Sequence, residues 1–230
     1  MSWISRIVQS FFFPRETEEL VSTLSLDLLR RLDSRFQVFG AESHRYKATP
    51  ATVGALAKLE SLCGVTLPTA FQQHLLTIGS GAGPYYGLLN LNKILESVRF
   101  AKQECGDQSP TARPFPYSFQ DASLLSQRIL SGEREASFRI ENELDGCITI
   151  CHQGCDHWTH LVVTGECAGS VWDMCDGELF PSIRPPGVLR LRKRWMQKAN
   201  FKRLPSLPSP PSFEDWFSGW LERCITDLTL

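Results

Sequence analysis

Cysteine and histidine crowd one stretch of the chain, and the chemistry open to them is metal binding or nucleophilic attack. Cys147, Cys151, Cys155, Cys167 and Cys175 lie within 29 residues, together with His152, His157 and His160. A structural zinc ion takes four such ligands at about 2.0–2.3 Å, usually from tight Cys-x2-4-Cys turns. Cys147 and Cys151 instead bracket CITIC, a run that reads as a strand, and four strand steps hold their backbones roughly 13 Å apart. The odd separation of His157 and His160 puts them on opposite faces of a continuing strand. The expectation is therefore dispersed thiols and imidazoles, with no metal and no other cofactor. A catalytic cysteine needs a histidine beside it, but eight cysteines and five histidines supply such pairs by chance. Neither a Gly-x-Ser-x-Gly elbow nor a GxxxxGKS/T loop occurs. SGAGP at 80–84 has the composition of a phosphate cradle, yet no lysine follows and Pro84 stands where a helix would start. It reads as a structural turn, no catalytic residue is expected, and the protein is read as a non-enzyme.

Charge points to recognition instead. With 24 Lys+Arg against 25 Asp+Glu, the net charge of -1 argues against a surface given over to nucleic acid or acidic membranes. Two local features depart from that balance. Residues 190–203 hold Arg190, Arg192, Lys193, Arg194, Lys198, Lys202 and Arg203 with Trp195 and Phe201 between them, a pattern that could follow a phosphate backbone or an acidic protein surface. Glu141, Glu143 and Asp145 form a compact acidic group just before the β-rich part. Acidic turns suit a basic partner, which makes Glu141, Glu143, Asp145, the Asp156-His157-Trp158 turn, Asp173 and Asp176 the candidate partner-binding residues. Trp158 and Trp172 read equally well as core aromatics.

Periodicity indicates the helices and strands that carry these residues. Trp3, Ile4, Ile7, Val8, Phe11 and Phe12 fall at helical spacing, with Pro14 as a stop. Residues 17–35 predict a second helix, with Leu20, Leu24, Leu28 and Leu32 on one stripe. Phe36, Val38 and Gly40 alternate like a short strand or extended arm. Thr49-Pro50 offers a cap and a first-turn proline for a helix ending at Gly64. Leu67-Pro68 opens another, with Phe71, Leu75 and Ile78 inward and Gly79 as its stop. Helices come next over 92–104 and 121–131, then strands at CITIC, HLVVTG and SVWDM. LPSLPSPPS at 204–212 reads as an extended linker. Ser212 and Asp215 resemble a capping box for a last helix whose Phe213, Trp216, Phe217, Trp220, Leu221 and Cys224 face the core. No apolar run reaches the roughly 18–20 residues needed to span a bilayer. Arg6 and Gln9 interrupt residues 2–13 and no cleavage site follows, so the expected location is cytoplasmic, with reduced thiols.

Taken together, VGALAKLESLCGVTLPTAFQQHLLTIGSGAGPYYGLLNL resembles the opening signature of the SUKH superfamily, the Smi/Knr cell-wall-regulator-like proteins. The matching positions are Leu59-Glu60, Gly64, Leu67-Pro68, Phe71, Leu75, Gly79 and Gly81. GCITICHQGCDHWTHLVVTGECAGSVWDMCDGELFP is similar to the family's strand block, with Gly154-Cys155, Leu161-Val162-Val163, Gly165, Gly169, Val171 and Trp172. SFEDWFSGWL resembles its terminal helix, and FGAESHRY and ARPFP resemble the bacterial branch. Asp156 and Ser80 depart from that pattern, and 184–212 is longer than the family's usual link. The resemblance implies an α+β domain over 36–230, with a mixed, mostly antiparallel sheet backed by helices. Residues 1–35 would be an N-terminal helical extension, and 190–212 a basic, proline-rich insert. It further implies an immunity protein that binds a cognate polymorphic toxin domain, delivered by contact-dependent or type VI secretion, and blocks its active site. The alternative is a non-catalytic adaptor or scaffold of the regulatory Smi/Knr type.

Overall fold

The computed structural model describes residues 26–105, 109–131, 133, 137–139, 144–183 and 210–229. The helix read over 2–13, the acidic pair Glu141 and Glu143, and the basic segment 190–203 lie outside the described residues.

The second predicted helix is present as α1 (residues 26–32), but on a different face from the leucine stripe. Leu26 and Leu29 are buried while Leu28 and Leu32 are exposed. The inward face runs on to Asp33, one helical repeat from Leu26, and this buried carboxylate organises the segment after the helix. Its oxygens accept from Gln37 N (2.6 Å), Val38 N (3.0 Å) and the Tyr46 hydroxyl (2.6 Å). Residues 33–40 are therefore wrapped into turns rather than extended as an arm, and they lead into the short helix α2 (Ala41–His44). Gly40 sits between the two at φ 80°, where a Cβ would fall 1.6 Å from the Tyr85 carbonyl oxygen. Only glycine lets these two backbones approach so closely.

Helix α3 (Val53–Cys63) begins one turn later than Thr49-Pro50 would place it. Thr52 is the cap, its Oγ1 accepting from Ala55 N at 3.2 Å. Thr49 instead exchanges two backbone hydrogen bonds with Ser80. The predicted stop holds, with Gly64 left-handed at φ 73°. Glu60 then ties α3 to the Leu67-Pro68 turn by accepting from Leu67 N (2.9 Å) and Gln72 Nε2 (3.0 Å). Helix α4 (Thr69–Thr77) comes next, burying Phe71, His74 and Leu75. Helices α5 (Leu91–Glu104) and α6 (Phe119–Leu130) stand close to their predicted ranges, capped by Asn90 and by a Ser118–Asp121 capping box respectively.

Among the described residues the sheet has five strands: β1 (Phe138–Arg139), β2 (Cys147–Gly154), β3 (His157–Val162), β4 (Val171–Cys175) and β5 (Glu178–Pro181). Their order is β1-β5-β4-β3-β2 and all four described pairings are antiparallel. The α+β class stands, and the parallel component of a mixed sheet is absent among the described strands. Helix α7 (Phe213–Thr229) closes the chain with all six predicted aromatic-stripe residues buried.

Helices cover both faces of this sheet. On one face Ile148, Ile150, Leu161 and Val171 pack into a core with residues of α1 to α5 and α7. On the other, Cys147, Val162, Trp172 and Leu179 pack with Phe115 and with Ala122, Leu125 and Ile129 of α6. A strand buried on both sides needs apolar residues at successive positions, which is what CITI and HLVV supply.

Candidate functional site

Two tight turns, β2–β3 and β4–β5, lie side by side at one end of the sheet. The second is Asp176-Gly177, with φ of 51° and 76°. This pair of left-handed residues is the geometry that Asp-Gly favours between antiparallel strands. It leaves Asp176 exposed, and Glu178 opens β5 beside it, also exposed. The first turn is Cys155-Asp156, both exposed, with Cys155 at φ 48°. His157 is exposed too, and its Nε2 contacts Cys175 Sγ across the strands. Asp176, Glu178 and Asp156 all act on that thiol, which burial and these carboxylates push above its ordinary pKa. Three carboxylates thus gather at this end of the sheet.

A line of rings drawn from four segments crosses the β2 edge at the same end, with Trp158 and His152 on the sheet face opposite Cys175 and Glu178. Trp158 is half-buried and lies opposite His152 in the β2–β3 pairing, their ring centroids 4.3 Å apart. His152 stacks in turn on Tyr86 at 5.7 Å and 27°, and Tyr86 meets Phe39 at 5.5 Å. Tyr86 belongs to the loop after α4, which runs along the outer edge of β2. Leu89 N donates to Ile150 O at 2.8 Å, and Cys151 Sγ donates to Pro84 O at 3.2 Å. The SGAGP segment is therefore a structural turn that seals a strand edge. Gly154 at φ 111° makes room for the ladder, since a Cβ there would come within 3.2 Å of the Tyr86 ring.

The remaining candidate residues fall elsewhere. Asp173 is on the same strand as Cys175 but points into the interior and is 6% exposed. Its oxygens accept from Gln153 Nε2, Thr159 Oγ1 (2.9 Å) and Ser182 Oγ (2.7 Å), and burial raises its pKa to about 6 despite those bonds. Asp173 is thus an internal tie between β2, β3, β4 and the end of β5, and its expected place on a partner surface is corrected. Asp145 is half-buried and 3.2 Å from Arg113, so it is already matched by a cation within the fold. Trp172 is a core aromatic, its Nε1 donating to Ser170 Oγ at 2.9 Å. Asp156, His157, Trp158 and Asp176 are brought together. Phe39, Tyr86, His152 and Glu178 join them without having been singled out as contact residues. The two-residue turn at 155–156 would by itself set Gln153 across from Trp158, and it is the register shift between His152 and Gly154 that puts His152 there. Phe39 and Tyr86 carry no such local signal.

Burial holds the interior histidines and thiols uncharged. Burial lowers His44 and His74 to about 4 and His160 to about 3. It raises the Cys63 and Cys167 thiols to about 11, and those of Cys147, Cys151 and Cys224 well above their ordinary range. A thiol held protonated is a poor nucleophile and a poor metal ligand. A bulge in β2 between Thr149 and Cys151 also sends Cys147 and Cys151 into opposite cores. Among the described residues no group of three or more His, Cys, Asp and Glu side chains is placed to hold a metal ion. Nor is any described helix long and apolar enough to cross a membrane.

No family model matches this chain, and neither a curated protein nor a solved structure was found to match it.

Proposed function

We propose that this is a non-catalytic cytoplasmic binding protein of the SUKH type, an immunity protein that neutralises a cognate toxin domain by covering its active site. One observation carries the reading. The turn end of the sheet gathers exposed Asp156, His157, Asp176 and Glu178 beside half-buried Trp158, above a fold whose described buried thiols and imidazoles are uncharged. Such a surface is equipped to bind rather than to transfer protons or attack a carbonyl. Many toxin domains act on nucleic acid through basic clefts, and acidic turns complement them. The resemblance of the helix, strand and terminal-helix signatures supports the same role.

The reading requires a toxin gene beside this one, and the test is co-expression of the two. Growth should be rescued, and the two chains should co-purify as a stoichiometric complex. Loss of both results would end the reading.

A further inference from the structure

We propose that the outward leucine face of α1 is a docking surface for residues 3–12 of the same chain, which fold back along it as an antiparallel neighbour. This surface is separate from the turn end of the sheet, and it stands or falls independently of the toxin role.

The face is apolar where the core does not use it. Leu26, Leu29 and Asp33 are buried, whereas Leu28 and Leu32 are 42% and 36% exposed. Side chains four apart are neighbours on a helix surface, so these two leucines form one patch. The spacing read over 17–35 continues the same row through Leu24 and Leu20. Leaving such a row in water forfeits about 25 cal/mol for each Å² of apolar surface that a cover would bury.

The chain itself supplies the cover. Residues 1–25 lead directly into α1, and among them Trp3, Ile4, Ile7, Val8, Phe11 and Phe12 make a second apolar stripe at helical spacing. Only Pro14-Arg15-Glu16 separates the ranges read over 2–13 and 17–35. Helical segments joined by so short a connection pack as antiparallel neighbours. The lengths agree, since residues 3–12 would span about 15 Å and the row from Leu20 to Leu32 about 18 Å. Folding back brings Ile7 and Val8 level with Leu24, and Trp3 and Ile4 level with Leu28. A short tether holds its segment at an effective concentration on the order of millimolar, which favours it over a second copy. An anionic membrane is the poorer occupant, because Glu16, Glu18 and Glu19 lie at the connection and would be repelled by its lipids.

Hydrogen exchange of the full chain, read by mass spectrometry at micromolar concentration, tests the proposal. Peptides covering residues 3–12 should exchange about tenfold or more slowly than the same peptides free in solution. Leu28→Asp puts a charge under the cover at a position the core does not use, and should abolish that protection. Leu28→Met should keep it. Leu124→Asp, at an exposed leucine of α6, is the control and should leave it unchanged. A photocrosslinking residue in place of Trp3 should capture residues 24–32 of its own chain. That capture uses intact leucines, so it decides the matter if Leu28→Asp fails to fold. Exchange of residues 3–12 at the free rate in the parent chain would overturn the proposal, as would protection that survives Leu28→Asp. Crosslinks between two chains, or protection seen only with phosphatidylglycerol vesicles, would assign the face to a second copy or to a membrane instead.

Discussion

Asp33 shows how one buried carboxylate can organise a segment. It is fully buried and satisfies two backbone N–H groups and the Tyr46 hydroxyl, while Arg30 Nη2 donates to the Tyr46 carbonyl at 2.8 Å. Removing it strands three donors, each costing about 1–3 kcal/mol when buried and unpaired. Asp33→Ala should therefore lower unfolding stability by about 3 kcal/mol or more, read from the urea midpoint at constant slope. Asp173 makes a different prediction, because its folded pKa of about 6 lies above the ordinary 3.8. Between those values the folded chain holds the extra proton, so this contribution is present below about pH 4 and is lost as pH rises through 6. Relative to Asp173→Asn, the parent chain should lose stability over that window, on the order of 3 kcal/mol for a shift of about two units. Parallel denaturation curves at pH 4 and pH 7 check this, and an equal difference at the two values would refute it.

At the scale of elements, α7 is joined to the sheet at its entry. Phe213 N donates to Gly169 O and Val171 N to Pro211 O, both at 2.9 Å. Ser212 caps the helix, its Oγ accepting from Asp215 N at 3.1 Å and donating to Asp215 Oδ2 at 2.7 Å. The first turn is thus set before Phe213 meets Phe71 edge-on at 4.9 Å and Phe217 meets His74 at 4.4 Å. Ser212→Ala removes the side-chain cap and should cost about 1 kcal/mol, lowering the denaturation midpoint without altering the far-ultraviolet spectrum. No change in midpoint would show that the strand contacts alone hold the helix start.

For the whole molecule, the histidines decide the acid limit. His44, His74 and His160 have folded pKa values of about 4, 4 and 3 against an ordinary 6.5, because burial penalises their charged form. The unfolded chain therefore binds more protons between about pH 6.5 and 4, and stability falls as pH drops through that interval. Each histidine can contribute about 3 kcal/mol, against a total stability of about 5–15 kcal/mol for an ordinary domain. Asp173 opposes this over part of the window, since its protonation favours the folded chain. Stability should fall from about pH 6.5 to pH 4, and more steeply in Asp173→Asn, which lacks the opposing protonation. A denaturation midpoint that does not fall between pH 6.5 and pH 4 would show that these imidazoles are not held neutral.

Local order was legible in the residues themselves. The α7 stripe, the CITIC strand and the Gly64 stop depend on spacing or on a backbone angle only glycine adopts freely, and each stands where it was expected. The α+β class, which the resemblance implied, stands as well. Tertiary structure alone decided the rest. The inward face of α1 was set by Asp33 and its donors up to 13 residues away rather than by the leucine stripe. A bulge in β2 placed Cys147 and Cys151 in different cores, which strand alternation cannot reveal because it assumes an unbroken register. Asp173 lies inside because helices cover both faces of the sheet, leaving that strand position no solvent side. The ring ladder is the furthest from sequence, since Phe39, Tyr86, His152 and Trp158 are joined only when the loop after α4 seals the edge of β2. Alternation and capping act over a few residues, whereas burial, charge pairing and ring stacking depend on which distant segments the packed core brings together.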